Sequence, residues 1–316
     1  MDRLSIVTFV SNSETVNYNI LSLFKDIQKR IPLTELLIYT DNSIYDINSI
    51  CDDVKLNICP HLTKYNRILK SLEDSNSAYI LYLDNDIMPD FSNLYEVIDN
   101  IHDNSVDLLW GIIGVSEKQG FVSKLIIIDK ILSHKIIRPT LWKMNIGISI
   151  PGQIFLLNKT KFQKDLSHRD TIFDDLTIGI CVKHNNYNIK MISSVLGYEK
   201  PSTNFNKLIT QRIRWAKGFY ESVENNMHNK MLPLIIAHGF SYHLLGFVFW
   251  ALLYMIFMFN HIVALVLWLA FCVKIADFDL SLIPFSIAYT IIFPIIHLCW
   301  LVVFVYDVIA GYISNK

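Results

Sequence analysis

An α/β domain on a mainly parallel sheet, followed by C-terminal membrane helices, is the fold class this sequence predicts. Short strand-like and helix-like runs alternate through roughly the first hundred residues, the signature of strands joined by crossover helices. Charge is concentrated ahead of the C-terminal part, where His238 to Ile313 carries only Lys274, Asp277, Asp279 and Asp307. Water is the solvent expected for the first part and lipid for the second.

The apolar run Leu4 to Val10 is too short for a signal-peptide core, and Asp2 stands where a signal is basic, so Ser5 to Val10 reads as a first strand. Leu36 to Thr40, Val54 to Ile58 and Tyr79 to Leu83 read as the next strands. Between the first two, Glu14 to Arg30 carries Val16, Ile20, Leu23, Phe24 and Ile27 at helical spacing, and Leu62 to Leu72 repeats that pattern before the fourth strand. This is a nucleotide-binding architecture in outline, in which ligands sit beyond the carboxyl ends of the strands. Asp41 follows the second strand there, and Asp84 with Asp86 the fourth. From Asp107 to about Ser194 the pattern is less regular, with apolar runs at Leu125 to Ile128 and Ile148 to Leu157 from which no topology follows.

Phe205 to Val223 places Phe205, Leu208, Ile209, Ala216, Phe219, Tyr220 and Val223 near one helical face, with Lys207, Arg212, Arg214 and Lys217 elsewhere. A basic amphipathic helix ahead of apolar segments suits the lipid interface. His238 to Phe259 is long enough to span, because about 20 apolar residues cross the hydrocarbon core. Ile262 to Ala276 is a shorter second span or re-entrant piece, and Leu280 to Tyr312 a third helix, tilted or kinked at Pro294. The expected organisation is a cytosolic domain over 1–204, an interfacial segment over 205–237 and a membrane part of about three helices over 238–316, with two or four spans as the open alternatives.

Composition removes whole classes of function. A net charge of -1 offers no basic surface of the kind nucleic-acid binders present. The five cysteines form no CxxC pair and no even framework, which fits a reduced compartment and not a disulfide scaffold or zinc site. The histidines show no metal-ligand spacing and read as packing or helix-end residues.

Three motifs carry chemistry. Asp84-Asn85-Asp86 follows an apolar run, and two carboxylates one residue apart at a strand end can grip a hard divalent cation that neutralises a pyrophosphate leaving group. The bland alternative is a solvated turn. An EF-hand is excluded, because its turn glycine would be Pro89 and its last ligand Tyr95. Asp174-Asp175 opens a helix-like run, where adjacent acids serve as N-terminal capping charges or where one carboxylate takes a proton from an attacking hydroxyl. Gln211-Arg212-Ile213-Arg214-Trp215 is either an interface anchor or a set that holds phosphate oxygens with Gln and Arg and lays an indole against a sugar ring.

The order D, DxD, DD and QxxRW, made by Asp41, Asp84 with Asp86, Asp174 with Asp175, and Gln211-x-x-Arg214-Trp215, resembles the membrane-integrated family 2 glycosyltransferases, the group of cellulose, chitin and hyaluronan synthases and ceramide glucosyltransferase. The resemblance covers most of residues 4–226 and implies a GT-A type domain with a mixed, mainly parallel sheet. It implies that Asp41 contacts the nucleotide, and that Lys64, in Leu62-Thr63-Lys64-Tyr65-Asn66, contacts phosphate or uridine. Asp84 and Asp86 would hold Mg or Mn, the second as direct ligand, with Asp84 also on the donor. Asp175 would be the base, Gln211 and Arg214 donor contacts, and Trp215, Asp174 and Gly152 of the Pro151-Gly152 turn acceptor contacts. Phe173-Asp174-Asp175 is nearer the Gly-Asp-Asp of hyaluronan synthases than the Thr-Glu-Asp of cellulose synthases, and Asn42-Ser43 stands where Gly-Ser commonly follows the first aspartate.

The implied activity is inverting transfer from a UDP-sugar to a glycan or lipid acceptor in polysaccharide synthesis, at the plasma membrane of a bacterium with the catalytic domain cytoplasmic. Single-sugar transfer to a polyprenyl phosphate or ceramide-like lipid is the alternative within the fold. A nucleotide-sensing membrane protein or transporter is the alternative of another class. Larger members also carry spans ahead of the catalytic domain, which argues against a polymer channel made by the C-terminal helices alone, and so short a membrane part leaves self-association or a separate exporter as possible partner arrangements.

Overall fold

The computed structural model describes residues 3–11, 15–41, 53–99, 106–116, 120–201 and 204–314. The chain folds as two compact units, one of 1–116 with 149–200 and the other of 117–148 with 201–316.

The first unit begins with β1 (Leu4–Val10), α1 (Tyr18–Arg30), β2 (Thr34–Thr40), β3 (Val54–Ile58), α2 (Lys64–Asp74) and β4 (Tyr79–Asp84). β1 reads Leu-Ser-Ile-Val-Thr-Phe-Val and is almost wholly buried, as a strand covered on both faces must be. In α1 the buried residues Ile20, Leu23, Phe24 and Ile27 fall on one stripe, and the Asn17 side chain caps the first turn by accepting from the Asn19 N–H. In α2 the stripe is Tyr65, Ile68 and Leu72, and the cap is Thr63, whose hydroxyl accepts from the Asn66 N–H.

The chain continues through β5 (Ile87–Pro89), α3 (Phe91–Asp99) and β6 (Leu108–Val115), then through α4 (Phe121–Lys130), a π-helical turn over Ile131–Ile137 and α5 (Arg138–Lys143) in the second unit. It returns to the first unit for β7 (Ile154–Asn158), α6 (Lys159–Asp165), α7 (Asp174–Asn185) and β8 (Ile189–Glu199). The strand order is β3-β2-β1-β4-β7-β6-β8-β5. β1 pairs in parallel with both β2 and β4, and β2 with β3. β7 lies antiparallel between β4 and β6, β6 runs parallel to β8, and β5 antiparallel to β8. The sheet is therefore mixed and mainly parallel, as expected. The order in which strands are added reverses beside β1, with β2 on one side and β4 on the other, so the topological switch point falls at the carboxyl ends of β1 and β4. The irregular middle resolves into a helix over Leu125 to Ile128 and, for Ile148 to Leu157, a loop that enters β7.

The second unit also holds α8 (Phe205–Asn225), α9 (Leu232–His243), α10 (Leu245–Phe259), α11 (His261–Ile275) and α12 (Ile283–Ser314). The single span expected over His238 to Phe259 is instead two helices, α9 and α10, bent by 61° at Leu244. Hydropathy is high on both sides of that break and so does not register it. Among the described residues one unbroken helix, Ile283–Ala310, is long and apolar enough to cross a membrane, with a bent pair as a second candidate. Pro294 lies inside α12, and without an N–H it leaves the Thr290 carbonyl without its helical partner. The Trp250 indole fills that vacancy, donating to the carbonyl at 2.7 Å, while the Trp268 indole donates to the Thr290 hydroxyl at 3.1 Å.

Candidate active site

The carboxyl ends of β1, β2 and β4 gather the polar residues of the first unit. Lys64 is the first residue of α2, so its side chain leaves the helix at the N-terminal end. Its ammonium reaches both Asp84 oxygens at 2.7 and 2.9 Å, the Asp174 carboxylate at 3.3 Å and the Gly152 carbonyl at 2.9 Å. One cation thus joins a strand end, the turn before β7 and the start of α7. Tertiary bonds hold the pieces: the Thr63 hydroxyl donates to Asp170 at 2.6 Å and the Tyr65 hydroxyl to the Ser167 carbonyl at 2.6 Å, which anchors the loop leading to Asp174.

Asp174 and Asp175 form the first turn of α7, so their charges also suit the helix dipole. The Asp175 carboxylate accepts from the Leu176 N–H at 2.9 Å. Gly152 packs against this turn. A Cβ there would stand 3.2 Å from the Asp175 Cβ and 3.5 Å from an Asp174 oxygen. Only glycine leaves this approach relaxed.

Asn85 fixes the turn between Asp84 and Asp86. Its side-chain oxygen accepts from the Asn17 N–H at 2.8 Å, its amide donates to the Thr15 carbonyl at 2.9 Å, and the Asn17 amide donates back to the Asn85 and Ile87 carbonyls at 3.0 Å each. With Asn85 buried and its neighbour Asp86 exposed, the second acid of the pair points outward. Asp41 is paired with Arg67 of α2, whose side chain is 7% exposed and also donates to the Cys59 carbonyl at 3.4 Å. Arg67 and Asn85 escaped the sequence reading. An arginine three residues beyond Lys64, one helical turn along, was the available signal for the first; the second had none.

Burial pushes the Asp84 carboxyl up to about 7; Lys64 opposes the rise, and the charges of Asp174 and Asp86 add to it. Burial alone would lower the Lys64 ammonium, yet Asp174 and Asp84 raise it above the usual lysine range. Asp84, Asp86 and Asp174 carry more negative charge than the single Lys64 balances. Among the described residues no three His, Cys, Asp or Glu side chains stand at metal-cage spacing. An excess of carboxylate oxygen without a full cage fits Mg or Mn, which bind through one or two carboxylates and complete their shell with water and substrate phosphate. Asp86 and Asp84 are the residues that would hold such an ion.

In the second unit, Gln211, Arg214 and Trp215 all lie on α8, with Arg214 exposed and the other two half-buried. Arg212, expected on the polar side of that helix, is 1% exposed. Its guanidinium pairs with Asp129 at 2.7 Å and lies over the Trp215 ring at 4.2 Å. A charge can be buried here because its partner is buried with it.

A family model described as glycosyl transferase family group 2 matches residues 79–313. No curated protein matches the chain. Among solved structures it is similar to a mannosyltransferase from Pyrobaculum calidifontis in complex with GDP-Man and Mn2+, with a TM-score of 0.54, 13% identity and coverage of 96% of this chain and 87% of that one. It is also similar to glucosyl-3-phosphoglycerate synthase from Mycobacterium tuberculosis in complex with phosphoglyceric acid, at TM-score 0.47, 12% identity and 68% and 78% coverage. A third is TarS from S. aureus, at TM-score 0.46, 12% identity and 76% and 72% coverage. At these identities the mannosyltransferase likeness bears on the fold, which is GT-A-like.

Proposed function

The chain belongs to glycosyl transferase family group 2, and from that premise we propose that it transfers a sugar, with inversion, from a UDP-sugar to a glycan or lipid acceptor at a membrane. One observation carries the reading at the site. Lys64 bridges Asp84 and Asp174 while Gly152 packs on Asp175, so motifs far apart in sequence share one cluster of charge.

In the proposed reaction Asp175 takes the proton of the acceptor hydroxyl as its oxygen attacks the anomeric carbon. The bond from that carbon to the diphosphate breaks, and UDP leaves with the bonding electrons. A single displacement needs one base and inverts the carbon. When bound, Mg or Mn supplies positive charge to the departing diphosphate. Asp86 and Asp84 would hold the ion, Lys64 adds positive charge to the donor site, and Asp41, kept in place by Arg67, would contact the nucleotide. Gln211 and Arg214 are assigned to donor phosphates, Trp215 to the acceptor, and Gly152 and Asp174 to its approach.

Membrane association is part of the proposal. It draws support from α12 and from large apolar side chains exposed on the helices of the second unit, such as Phe259 at 91% and Ile262 at 74%. That surface also favours a second reading, single transfer to a polyprenyl phosphate or ceramide-like lipid, which product mass separates from polymer.

The test is UDP release from a panel of UDP-sugars and GDP-mannose, with and without Mn2+, followed by product mass. Release that requires both metal and acceptor is expected, and nucleotide binding without release would instead favour a sensor or transporter. Asp175→Asn keeps the oxygen that accepts from Leu176 and so preserves the helix start. It should lower kcat by about 10²–10⁴-fold, the contribution of a general base, and leave UDP affinity unchanged. Undiminished transfer by this variant would assign the base elsewhere.

A further inference from the structure

Arg212 is a poor choice for a helix that merely anchors at an interface. Its side chain is 2% exposed, and Asp129 on α4, at 9%, is nearly as enclosed. Two of its donors, Nε and Nη1, find no hydrogen-bond partner among the described residues. Asp129 is thus the acceptor that orients the guanidinium, at 2.7 Å from Nη2. The other Asp129 oxygen accepts from the Tyr289 hydroxyl of α12 at 2.8 Å. The guanidinium carbon, aimed in this way, lies 4.2 Å from the Trp215 ring centroid and 5.6 Å from that of Phe293. Burying such a pair is seldom the most stable solution, since apolar side chains of similar volume often serve as well or better. What a pair provides and an apolar contact does not is a direction, and here the direction is that of the plate against which the indole rests.

We propose that Asp129 is a positioning residue for the acceptor side of the reaction: together with Tyr289 it holds the Arg212 guanidinium plane, and through it the Trp215 indole, in the orientation an acceptor sugar or headgroup stacks on. Asp129 acts through Arg212 and touches no substrate. The inference rests on the assignment of Trp215 to the acceptor made above. It adds that the indole's pose is set from two other helices, α4 and α12.

The experiment uses the full chain in detergent or nanodiscs and measures donor KM, acceptor KM, kcat and Tm. Asp129→Asn is expected to raise acceptor KM about tenfold with donor KM unchanged. The double variant Asp129→Leu/Arg212→Met removes both charges and should regain most of the wild-type Tm. If the pair only props the helices apart, acceptor KM recovers with Tm; if it positions Trp215, acceptor KM stays raised. Recovery of both overturns the proposal. Tyr289→Phe removes one hydroxyl and provides a test that does not depend on the double variant folding: an acceptor KM raised about threefold with donor KM unchanged supports the proposal, and an unchanged acceptor KM overturns it. Wild-type protein that transfers no sugar from any donor would sink the transferase reading, whereas active wild type with indifferent variants sinks only this one.

Discussion

Lys64→Met tests what holds the candidate site together. Methionine keeps most of the stem and removes the ammonium, and with it the contacts to Asp84 at 2.7 and 2.9 Å and to Asp174 at 3.3 Å. A two-oxygen charge-assisted contact contributes about 1.5–3 kcal/mol. The Asp174 contact is longer, and although the oxygen it reaches is buried it makes no hydrogen bond, so it adds no more than about 1 kcal/mol. The loss is not recovered elsewhere, because Asp84 and Asp174 then face each other without a cation. Burial already pushes the Asp84 carboxyl up to about 7 with Lys64 present. Without it the pKa rises further and the carboxyl takes up a proton at neutral pH, which caps the repulsion. The net expectation is a destabilisation of about 2–3 kcal/mol, or about 5–10 °C in Tm for a unit of this size. Thermal unfolding by circular dichroism in EDTA measures it. Repeating the melt with Mn2+ and UDP should narrow the gap, since a bound divalent ion supplies the missing charge. A Tm within about 1 °C of wild type in EDTA would refute the claim that this ammonium is what draws the carboxylates together.

Three further outcomes follow from the same geometry. Asn85→Ala strands the Asn17 N–H and the Thr15 carbonyl, so urea unfolding should show a loss of about 1–3 kcal/mol, and the apparent Mn2+ affinity should weaken as the Asp86 turn loosens. Arg67→Met leaves Asp41 without its guanidinium; a stability loss of about 3 kcal/mol by denaturation and weaker UDP binding by calorimetry are expected. Gly152→Ala places a methyl 3.2 Å from the Asp175 Cβ, so transfer should fall about tenfold while Tm moves little, a split that kinetics and a melt on the same sample detect.

Where signals were local, the sequence was legible. β3 is predicted to the residue, β1 and β4 to one residue at one end, and β2 to two, because an apolar run bounded by polar turns reports backbone that is fixed by its own neighbours. The strand-end aspartates could be found for the same reason. β6 and β8 were not legible, since their runs are interrupted by glycine, serine and lysine and gain their regularity by pairing with each other and with β7 and β5. The antiparallel insertion of β7 between β4 and β6 had no local mark at all. The break at Leu244 had only a faint local mark, Ser241 and His243 ahead of it and Gly246 after it, in a stretch that is otherwise apolar.

The linear order of residues, by itself, determined the α/β alternation, the carboxylates at strand ends and the apolar character of the C-terminal helices, each a property of short windows of chain. Tertiary structure alone decided which charges meet. Lys64 reaches Asp174 across 110 positions, Arg67 takes Asp41, and Arg212 leaves the polar side of its helix to join Asp129. A charged side chain's partner is chosen by the cost of burying it alone, and that cost exists only once distant segments have packed around it.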